Sequence, residues 1–183
     1  MKCSKTLITT AILGFSLASF HSTAWADTPK QQFQQGYEAS VRGDYQTAFK
    51  LWLPLAEQGN VSAQFNLGLM YQKGEGVKQD YFEAVKWYRQ AAEQGNVNAQ
   101  SNLGWMYDAG QGVKQDYFEA VKWYRQAAEQ GHAKAQFILG GLYLLGEGVQ
   151  VNKSLAKEWL GKACDNGVQE GCEYYGKLNK GEL

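Results

Sequence analysis

The most specific chemical pattern in this 183-residue chain is a serine followed three positions later by a lysine. Ser154 and Lys157 match the S-x-x-K arrangement, in which a lysine can help to activate a nucleophilic serine. The Ser-Asp-Asn and Lys-Thr-Gly sequences that complete that mechanism are absent. A serine near the start of a helix is also an ordinary N-terminal residue. The sequence therefore favours a protein that is not an enzyme, with acylation of Ser154 as the alternative.

Other patterns that resemble active sites fail on inspection. The segments GEGVKQ, GQGVKQ and GEGVQV lack the third glycine of a dinucleotide-binding turn. His132 is solitary, and we predict that it lies in a turn. Glu83 and Glu119 are predicted on solvent faces, and no stretch carries two acids spaced as in a glycosidase. We therefore predict no cofactor, no metal site and no catalytic residue.

The elements that carry these residues repeat along the chain. A 36-residue unit from Ala63 to Asn98 is followed by a copy from Ala99 to Lys134 that differs at only eight positions. A looser third copy begins at Ala135. Self-similarity at this period indicates a solenoid of stacked helix pairs, because one unit is too small to bury its own apolar face.

Each unit resembles the Sel1-like repeat, a lengthened relative of the tetratricopeptide repeat. The likeness is carried by AQFNLGLMY from Ala63, by GEGV at Gly74–Val77 and by DYFEAVKWYRQAAEQG at Asp80–Gly95. The first unit, around Gly36 to Ala48, lacks a four-residue loop insertion and resembles an ordinary tetratricopeptide unit. The resemblance implies an all-α, right-handed α/α solenoid with one tetratricopeptide-like unit, three Sel1-like units and a C-terminal capping helix. It also implies scaffolding or adaptor work, although fold alone does not identify a ligand.

Residues 1–26 have the pattern of a secretory signal peptide. Lys2 and Lys5 precede an apolar run from Leu7 to Phe20, and Ala24-Trp25-Ala26 is a small-x-small cleavage site. The run is shorter than the roughly 20 residues that span a bilayer. We expect cleavage after Ala26 and a periplasmic or secreted protein, with an uncleaved amphipathic helix as the alternative. The solenoid would then occupy residues 27–183, with units at about 27–62, 63–98, 99–134 and 135–170 and a cap at 171–183.

Charge and hydropathy narrow the classes of partner. Loss of Lys2 and Lys5 leaves 16 basic and 18 acidic side chains, a net charge of −2. The lysines are spread one or two per helix, which is not the basic face typical of nucleic-acid binding. No second apolar run appears, so we expect no membrane insertion. The remaining prediction is a monomer that binds a protein or peptide partner.

Hydrophobic periodicity predicts nine helices. They form four pairs, each with a first helix (helix A) and a second helix (helix B), followed by a closing helix at about Gln169–Leu178. Asp80 and Asp116 are predicted N-caps, and Gly95 and Gly131 are predicted C-terminal stops. Pro54 falls inside the first helix B, where an interior proline costs about 3 kcal/mol. We therefore expect a kink or a broken turn there.

Cys164 and Cys172 are the only cysteines after residue 26. In an exported protein an even number of cysteines suggests a disulfide. In register, Cys164 stands where earlier units have Ala56, Ala92 and Ala128, and Cys172 stands where they have Gln64, Gln100 and Gln136. A short turn between antiparallel helices would bring the two together, and KACDNGVQEGC resembles the cysteine pairs of secreted, cysteine-rich Sel1-type proteins. A catalytic or metal-binding thiol pair is the alternative.

The eight differences between the two closest copies concentrate on helix A and the turn between units. On a helical wheel, positions 65, 69 and 72 point away from Leu67, Met70 and Tyr71, so we expect this row not to face the core of its own pair. By resemblance to tetratricopeptide units, the row lines a concave groove that binds peptides. The predicted partner-binding residues are Phe33, Tyr37, Phe65, Asn66, Leu69, Gln72, Asn102, Trp105, Asp108 and Phe137.

Three functions remain open at this point. Exposed apolar and aromatic surface usually marks a partner site, so the favoured prediction is an exported interaction module that uses the helix A groove. Alternatively, Phe65 and Phe137 pack against neighbouring A helices and leave a shallow groove. The enzyme alternative is a penicillin-binding or β-lactamase-like cell-wall activity at Ser154 and Lys157, since some cysteine-rich Sel1-like proteins have been associated with penicillin binding. A third possibility is a partner surface on the outward face of helix B.

Overall fold

The computed structural model describes residues 27–183, and the predicted signal peptide at 1–26 lies outside the described residues. Residues 27–183 form nine α-helices and contain no strand, which confirms the predicted all-α solenoid of helix pairs. In chain order the helices are α1 (Pro29–Val41), α2 (Tyr45–Glu57), α3 (Val61–Lys73), α4 (Tyr81–Glu93), α5 (Val97–Ala109), α6 (Tyr117–Glu129), α7 (Ala133–Leu145), α8 (Lys153–Asp165) and α9 (Gln169–Lys180). The odd-numbered helices α1 to α7 are the A helices.

The helix boundaries follow from local capping chemistry. Asp80 and Asp116 each accept hydrogen bonds from two backbone N–H groups at the starts of α4 and α6, as predicted. Gly95 and Gly131 follow these helices with positive φ angles of 88° and 87°, which glycine adopts at little cost. Glycines in the left-handed conformation also end α3, α5 and α7, at Gly74, Gly110 and Gly146.

Packing within each pair depends on a close approach between helix A and helix B. A Cβ atom placed on Gly68 would lie 2.5 Å from Cδ1 of Tyr88, and one on Gly104 would lie 2.9 Å from Cδ1 of Tyr124. Both tyrosine side chains are fully buried. Only glycine leaves room for these rings, so the A and B helices of the second and third pairs are held around a central tyrosine.

The loop between helix A and helix B differs between the first pair and the others. It spans three residues in the first pair (42–44) and seven in the second (74–80), which matches the predicted four-residue insertion. The longer loops also join neighbouring units, because Gly112 approaches the backbone of the preceding helix B. A Cβ atom on Gly112 would lie 2.2 Å from the carbonyl oxygen of Tyr81. Gly112 therefore makes a structural contact between units.

A second set of contacts between units is made by buried glutamines. The side chain of Gln100 donates to the carbonyl oxygen of Ala92 on the preceding helix B at 3.1 Å. It also accepts a hydrogen bond from Gln130 at 2.8 Å. Gln64 and Gln136 make the equivalent pairs of bonds. Each of the first three junctions therefore contains a buried glutamine amide whose nitrogen and oxygen are both hydrogen-bonded, which fixes the register of successive units.

The disulfide replaces this glutamine contact at the last junction. Cys164 on α8 and Cys172 on α9 are bonded, with their Cα atoms 4.6 Å apart. They occupy the positions of Ala128 and Gln136 one unit earlier. The predicted disulfide is thus present. It joins the closing helix α9 to α8 covalently, at the position where the earlier units are joined by a glutamine hydrogen bond.

The expected break at Pro54 is absent. Helix α2 continues through Pro54 to Glu57 and has the same 13 residues as α4 and α6. Pro54 lies in the last turn, so the helix loses only the hydrogen bond to the carbonyl of Lys50. Lys50 is exposed, which leaves that carbonyl on the solvent side of the helix. The broken turn was therefore a wrong prediction. Separately, no helix between residues 27 and 183 has the length and apolar character needed to cross a membrane.

Candidate functional site

Three pockets follow one another along the A helices. An N-terminal pocket of about 260 Å³ contains Tyr37, Asn66 and Leu69 from the predicted set. A central pocket of about 280 Å³ contains Gln72, Asn102 and Trp105. A C-terminal pocket of about 330 Å³ contains Asp108 and Phe137. We refer to the surface that holds the three pockets as the helix A face. The structure thus brings eight of the ten predicted residues to this face.

The two remaining residues pack against neighbouring rings. The ring centroids of Phe33 and Trp52 are 5.8 Å apart, and those of Phe65 and Tyr88 are 6.0 Å apart. Trp52 and Tyr88 belong to the B helices of the same pairs, so the expectation that this row does not face its own pair's core is wrong at these positions. The physical reason is that a large aromatic ring at position 65 reaches sideways across helix A. Both phenylalanines are half-buried and act mainly in packing.

The alternative of a shallow groove is therefore correct in part. Phe65 does pack on another ring, but its partner is on helix B of its own pair and not on a neighbouring helix A, as that alternative proposed. Phe137 contacts Tyr174 of α9 with centroids 6.1 Å apart, yet it also lines the C-terminal pocket. Trp105 and Tyr37 remain open to solvent, with 36% and 53% of their surfaces exposed. The helix A face thus combines aromatic side chains that pack against other rings with aromatic side chains that are exposed to solvent.

The central pocket lies between the second, third and fourth helix pairs. Its wall consists of Gln72, Ser101, Asn102, Trp105, Tyr124, His132, Lys134 and Ile138. His132 and Lys134 come from the turn before α7 and its first turn, and Ile138 comes from the middle of α7. His132 is the N-cap of α7 and accepts a hydrogen bond at Nδ1 from the backbone N–H of Ala135 at 3.1 Å. The predicted turn position of His132 is confirmed, and the same residue also reaches the pocket.

Two tyrosines at equivalent positions behave differently at this site. The hydroxyl of Tyr88 donates to the side-chain oxygen of Gln72. The hydroxyl of Tyr124 is buried and has no hydrogen-bond partner among the described residues. Burial raises the pKa of both tyrosines; the side chain of Asn102 opposes that rise at Tyr88, and the Asp108 carboxylate adds to it at Tyr124. The central pocket therefore contains a buried polar group that the protein itself does not satisfy.

Burial also shifts two charged or chargeable groups on this face. It raises the pKa of the Asp108 carboxyl, and the nearby Glu147 carboxylate raises it further. It lowers the pKa of the His132 imidazole, and the Lys134 ammonium lowers it further, against an opposing hydrogen bond to the backbone. At neutral pH the neutral imidazole accepts at Nδ1 and carries its proton on Nε2, which makes it a donor.

Sequence reasoning missed five residues of the central pocket. They are Ser101, Tyr124, His132, Lys134 and Ile138. The sequence did mark three of them, because the two closest copies of the repeat differ at Ser101, His132 and Lys134. The contribution of His132 and Lys134 was not foreseen because the turn between units was treated only as a connection, whereas its residues line the central pocket beside α5.

Ser154 and Lys157 share a separate pocket of about 450 Å³ beside the disulfide. Lys157 places its ammonium 5.6 Å from the centre of the Tyr175 ring. In the described part of the chain, no hydrogen bond joins Lys157 to Ser154 or positions either group with a third side chain. Nucleophilic catalysis needs such a contact between the nucleophile and its base. The arrangement does not favour acylation.

Helix B also presents exposed aromatic side chains. Phe82 and Phe118 occupy equivalent positions near the starts of α4 and α6 and are 68% and 76% exposed. Phe82 borders a pocket with Tyr107 and Trp123. Both lie on helix B, whose outward face the sequence left open as a third possible partner surface. They provide a natural comparison surface for experiments on the helix A face.

Comparisons with known proteins agree with this architecture. The family model described as "Sel1 repeat" matches residues 33–60, 61–96, 97–132 and 133–168. A protective antigen of uropathogenic Escherichia coli that displays an SLR fold is 41% identical over 85% of this chain, with a TM-score of 0.80. A Sel1 repeat protein from Oxalobacter formigenes is 39% identical over 79% of this chain, with a TM-score of 0.76. The chain spans 34% of the first structure and 59% of the second.

A more distant structure shares the fold alone. Cysteine-rich protein B of Helicobacter pylori is 23% identical over 72% of this chain and 94% of its own length, with a TM-score of 0.57. A comparison with curated proteins found no match.

Proposed function

The chain belongs to the Sel1 repeat family, whose members are generally protein-interaction modules, and we propose that this member is an exported adaptor. It binds an extended peptide or protein segment on the helix A face. The same family is typically non-catalytic.

One observation carries the proposal. The second and third units are identical along helix B from Asp80 to Gly95 and from Asp116 to Gly131. Their differences fall largely on side chains that line the three pockets, including Leu69/Trp105 and Gln72/Asp108. A scaffold that only stacks would tolerate identical A helices. Variation at the pockets, on an otherwise copied scaffold, supports a recognition surface that differs from unit to unit.

The chemistry of the face suits a peptide. Tyr37 and Trp105 provide exposed aromatic anchors, and residues of this type dominate binding energy at interfaces. Asn66 and Asn102 lie beside them at equivalent positions and offer amide groups to a peptide backbone. The spacing of one such set per unit suits a ligand that lies along the solenoid.

Export is supported by the disulfide. Bonded cysteines such as Cys164 and Cys172 persist in oxidising compartments and are rare in the cytosol. The relative from uropathogenic Escherichia coli is described as a protective antigen, which is compatible with a location outside the cytoplasm.

The proposal is tested by partner capture from envelope extracts. The protein purified after export is compared with a Tyr37→Ala, Trp105→Ala variant and with a matched Phe82→Ala, Phe118→Ala variant. We expect the second variant to retain a partner that the first one loses, with both variants folded by circular dichroism. If only the Phe82→Ala, Phe118→Ala variant lost the partner, the proposal would be contradicted.

A further inference from the structure

The C-terminal pocket on the helix A face opens where the fourth unit lacks a large side chain. Gly141 in α7 occupies the position that Leu69 and Trp105 hold in the two preceding units. A Cβ atom placed on Gly141 would meet no atom within 4 Å. The resulting cavity of about 330 Å³ lies between α5, α7, α8 and α9. A position that carries a large side chain in the earlier units is thus an opening in the fourth.

Most of the wall of this pocket is apolar and partly open to solvent. Phe137, Leu144 and Leu145 line it from α7, and Tyr174 lines it from α9. Leu145 is 69% exposed, and Tyr174 is 39% exposed. Because these side chains border one cavity, they form a continuous apolar surface of the kind that usually marks a binding site.

Two carboxylates interrupt this apolar wall. Asp108 of α5 and Glu147 of the loop after α7 both line the pocket, and both are half-buried. Burial raises the pKa of the Asp108 carboxyl, and the Glu147 carboxylate raises it further because the two charges repel. One junction earlier, the equivalent positions hold the neutral side chains of Gln72 and Gln111. The junction of the third and fourth units therefore carries two negative charges where the preceding junction carries none.

The chain supplies no cation to these carboxylates. In the second unit, Glu75 pairs with Lys73 at 3.8 Å. In the fourth unit, Glu147 is equivalent to Glu75, but Leu145 stands in place of Lys73. Among residues 27–183, no ion pair includes Glu147 or Asp108. The charge of the pocket is therefore complementary to a cation that comes from a partner.

An arginine side chain fits both the apolar and the acidic parts of the pocket. Its aliphatic stem can lie along Leu144 and Leu145 while its charged end reaches past them. Its planar guanidinium carries enough N–H donors to pair with two carboxylates at once, and it stacks on aromatic rings such as those of Phe137 and Tyr174. An ammonium group is compact and strongly hydrated, so it satisfies fewer of these contacts. The ammonium of Lys177 lies 5.2 Å from the centre of the Tyr174 ring, which indicates that this ring tolerates a cation beside it.

Resting on the proposed function, we propose that the C-terminal pocket binds an arginine side chain of the partner segment. The guanidinium pairs with the carboxylates of Asp108 and Glu147, and the stem covers the exposed Leu145. Ile138 lines both this pocket and the central pocket, so the segment continues from the arginine towards Trp105.

Three peptides test this assignment. Each is acetyl-Ala-Ala-Xaa-Ala-Ala-amide, and Xaa is arginine, citrulline or lysine. Citrulline has nearly the shape of arginine but lacks its charge. Binding is followed by NMR at the backbone amide of Gly141, which a Gly141→Leu variant assigns by loss of the glycine signal. We expect the citrulline peptide to bind at least about tenfold more weakly than the arginine peptide, since charge-assisted hydrogen bonds are the stronger ones. The lysine peptide should have an intermediate affinity.

Substitutions copied from other units test the assigned contacts. Asp108→Gln, Glu147→Gln restores the neutral side chains of the preceding junction, and it should bind the arginine and citrulline peptides equally while remaining folded by circular dichroism. A matched variant, Glu57→Gln, Glu129→Gln, removes two exposed carboxylates from the B helices α2 and α6. It should keep the preference for arginine. Gly141→Leu copies Leu69 into the opening and should weaken all three peptides.

Four outcomes overturn the arginine site. They are equal affinity of the wild type for arginine and citrulline peptides, lysine bound as tightly as arginine, no shift with any peptide, and a preference for arginine that survives Asp108→Gln, Glu147→Gln. Partner capture that depends on Tyr37 and Trp105 would stand apart from such a failure. A confirmed preference for arginine, with partner capture that depends only on Phe82 and Phe118, would instead overturn the proposed function.

Discussion

The ring of Phe65 lies against the ring of Tyr88 with centroids 6.0 Å apart, and the next unit lacks this contact because Ser101 occupies the equivalent position. In the same unit Trp105 replaces Leu69. One change removes the ring that lies against the buried tyrosine, and the other replaces a half-buried leucine by an exposed tryptophan. Two substitutions on a copied helix thus convert a packed position into a pocket.

This relationship predicts that the pocket can be closed by copying the preceding unit. The double substitution Ser101→Phe, Trp105→Leu gives α5 the side chains that α3 has at these positions. We expect the fold and thermal stability to be maintained, because the same pair of residues already packs beside Tyr88. Partner capture should be lost. A variant that melts like the wild type and still captures the partner would contradict a role for the central pocket.

The disulfide predicts a defined loss of stability on removal. The variant Cys164→Ala, Cys172→Gln copies the Ala128–Gln136 contact, in which the glutamine side chain donates to the alanine carbonyl at 3.0 Å. Closing so short a loop contributes about 2–3 kcal/mol, and the new hydrogen bond should return about 1 kcal/mol. We expect a lower free energy of unfolding by denaturant, with the loss confined to α9. A Cys172→Ser variant, which cannot form the glutamine contact, should lose more.

A reducing agent provides the control for this prediction. It should lower the melting temperature of the wild-type protein and leave that of the Cys164→Ala, Cys172→Gln variant unchanged. Equal sensitivity of both proteins would show that the crosslink does not stabilise the last junction.

Much of the fold was predictable because its determinants are local and repeated. Asp80 and Gly95 mark the ends of a helix by capping chemistry that acts over a few residues. The same marks recur in register at Asp116 and Gly131, so each helix was predicted several times independently. The break expected at Pro54 failed because the cost of a proline depends on its distance from the helix end, which periodicity alone does not fix within a turn.

The site was predictable only in outline. A helical wheel separates faces, but it does not show how far a side chain reaches along its helix. Phe65 was therefore assigned to the binding row, although its ring packs on Tyr88. The reverse error concerns Lys134 and Ile138, which enter the central pocket from the following helix. Contacts between units depend on how the pairs stack, and a single unit does not contain that information.

The lowered pKa of His132 predicts a pH dependence of stability. Burial holds this pKa below its usual value near 6.5. Between the lowered value and about 6.5, the unfolded chain binds more protons than the folded one, so the free energy of unfolding rises with pH in that window and levels off above it. The variant His132→Asn copies the cap at Asn96 and removes the titrating group. We expect acidification from about pH 7 to about pH 5 to lower the melting temperature of the wild type more than that of the variant. If the melting temperatures of the wild type and the variant fell equally on acidification, the assignment of this pH dependence to His132 would be contradicted.

The loop glycines predict a sharp positional difference. Gly112 has a φ of 69°, and a Cβ atom there would meet the Tyr81 backbone at 2.2 Å. Gly112→Ala should therefore lower the free energy of unfolding by more than about 2 kcal/mol. Gly131 has a similar φ of 87° and nothing near its Cβ position, so Gly131→Ala should cost only the backbone penalty of about 1 kcal/mol. Equal losses in chemical denaturation would mean that the contact between loop and helix is unimportant.

The central claim, that the partner lies on the helix A face, is tested most directly by crosslinking in intact cells. A photoreactive phenylalanine analogue is placed at Trp105 in one variant and at Phe118 in another, both of which are exposed positions. We predict one discrete crosslinked product at position 105, with the partner segment identified by peptide mapping, and none at position 118. A discrete product at position 118 with none at position 105 would place the partner on helix B and contradict the account.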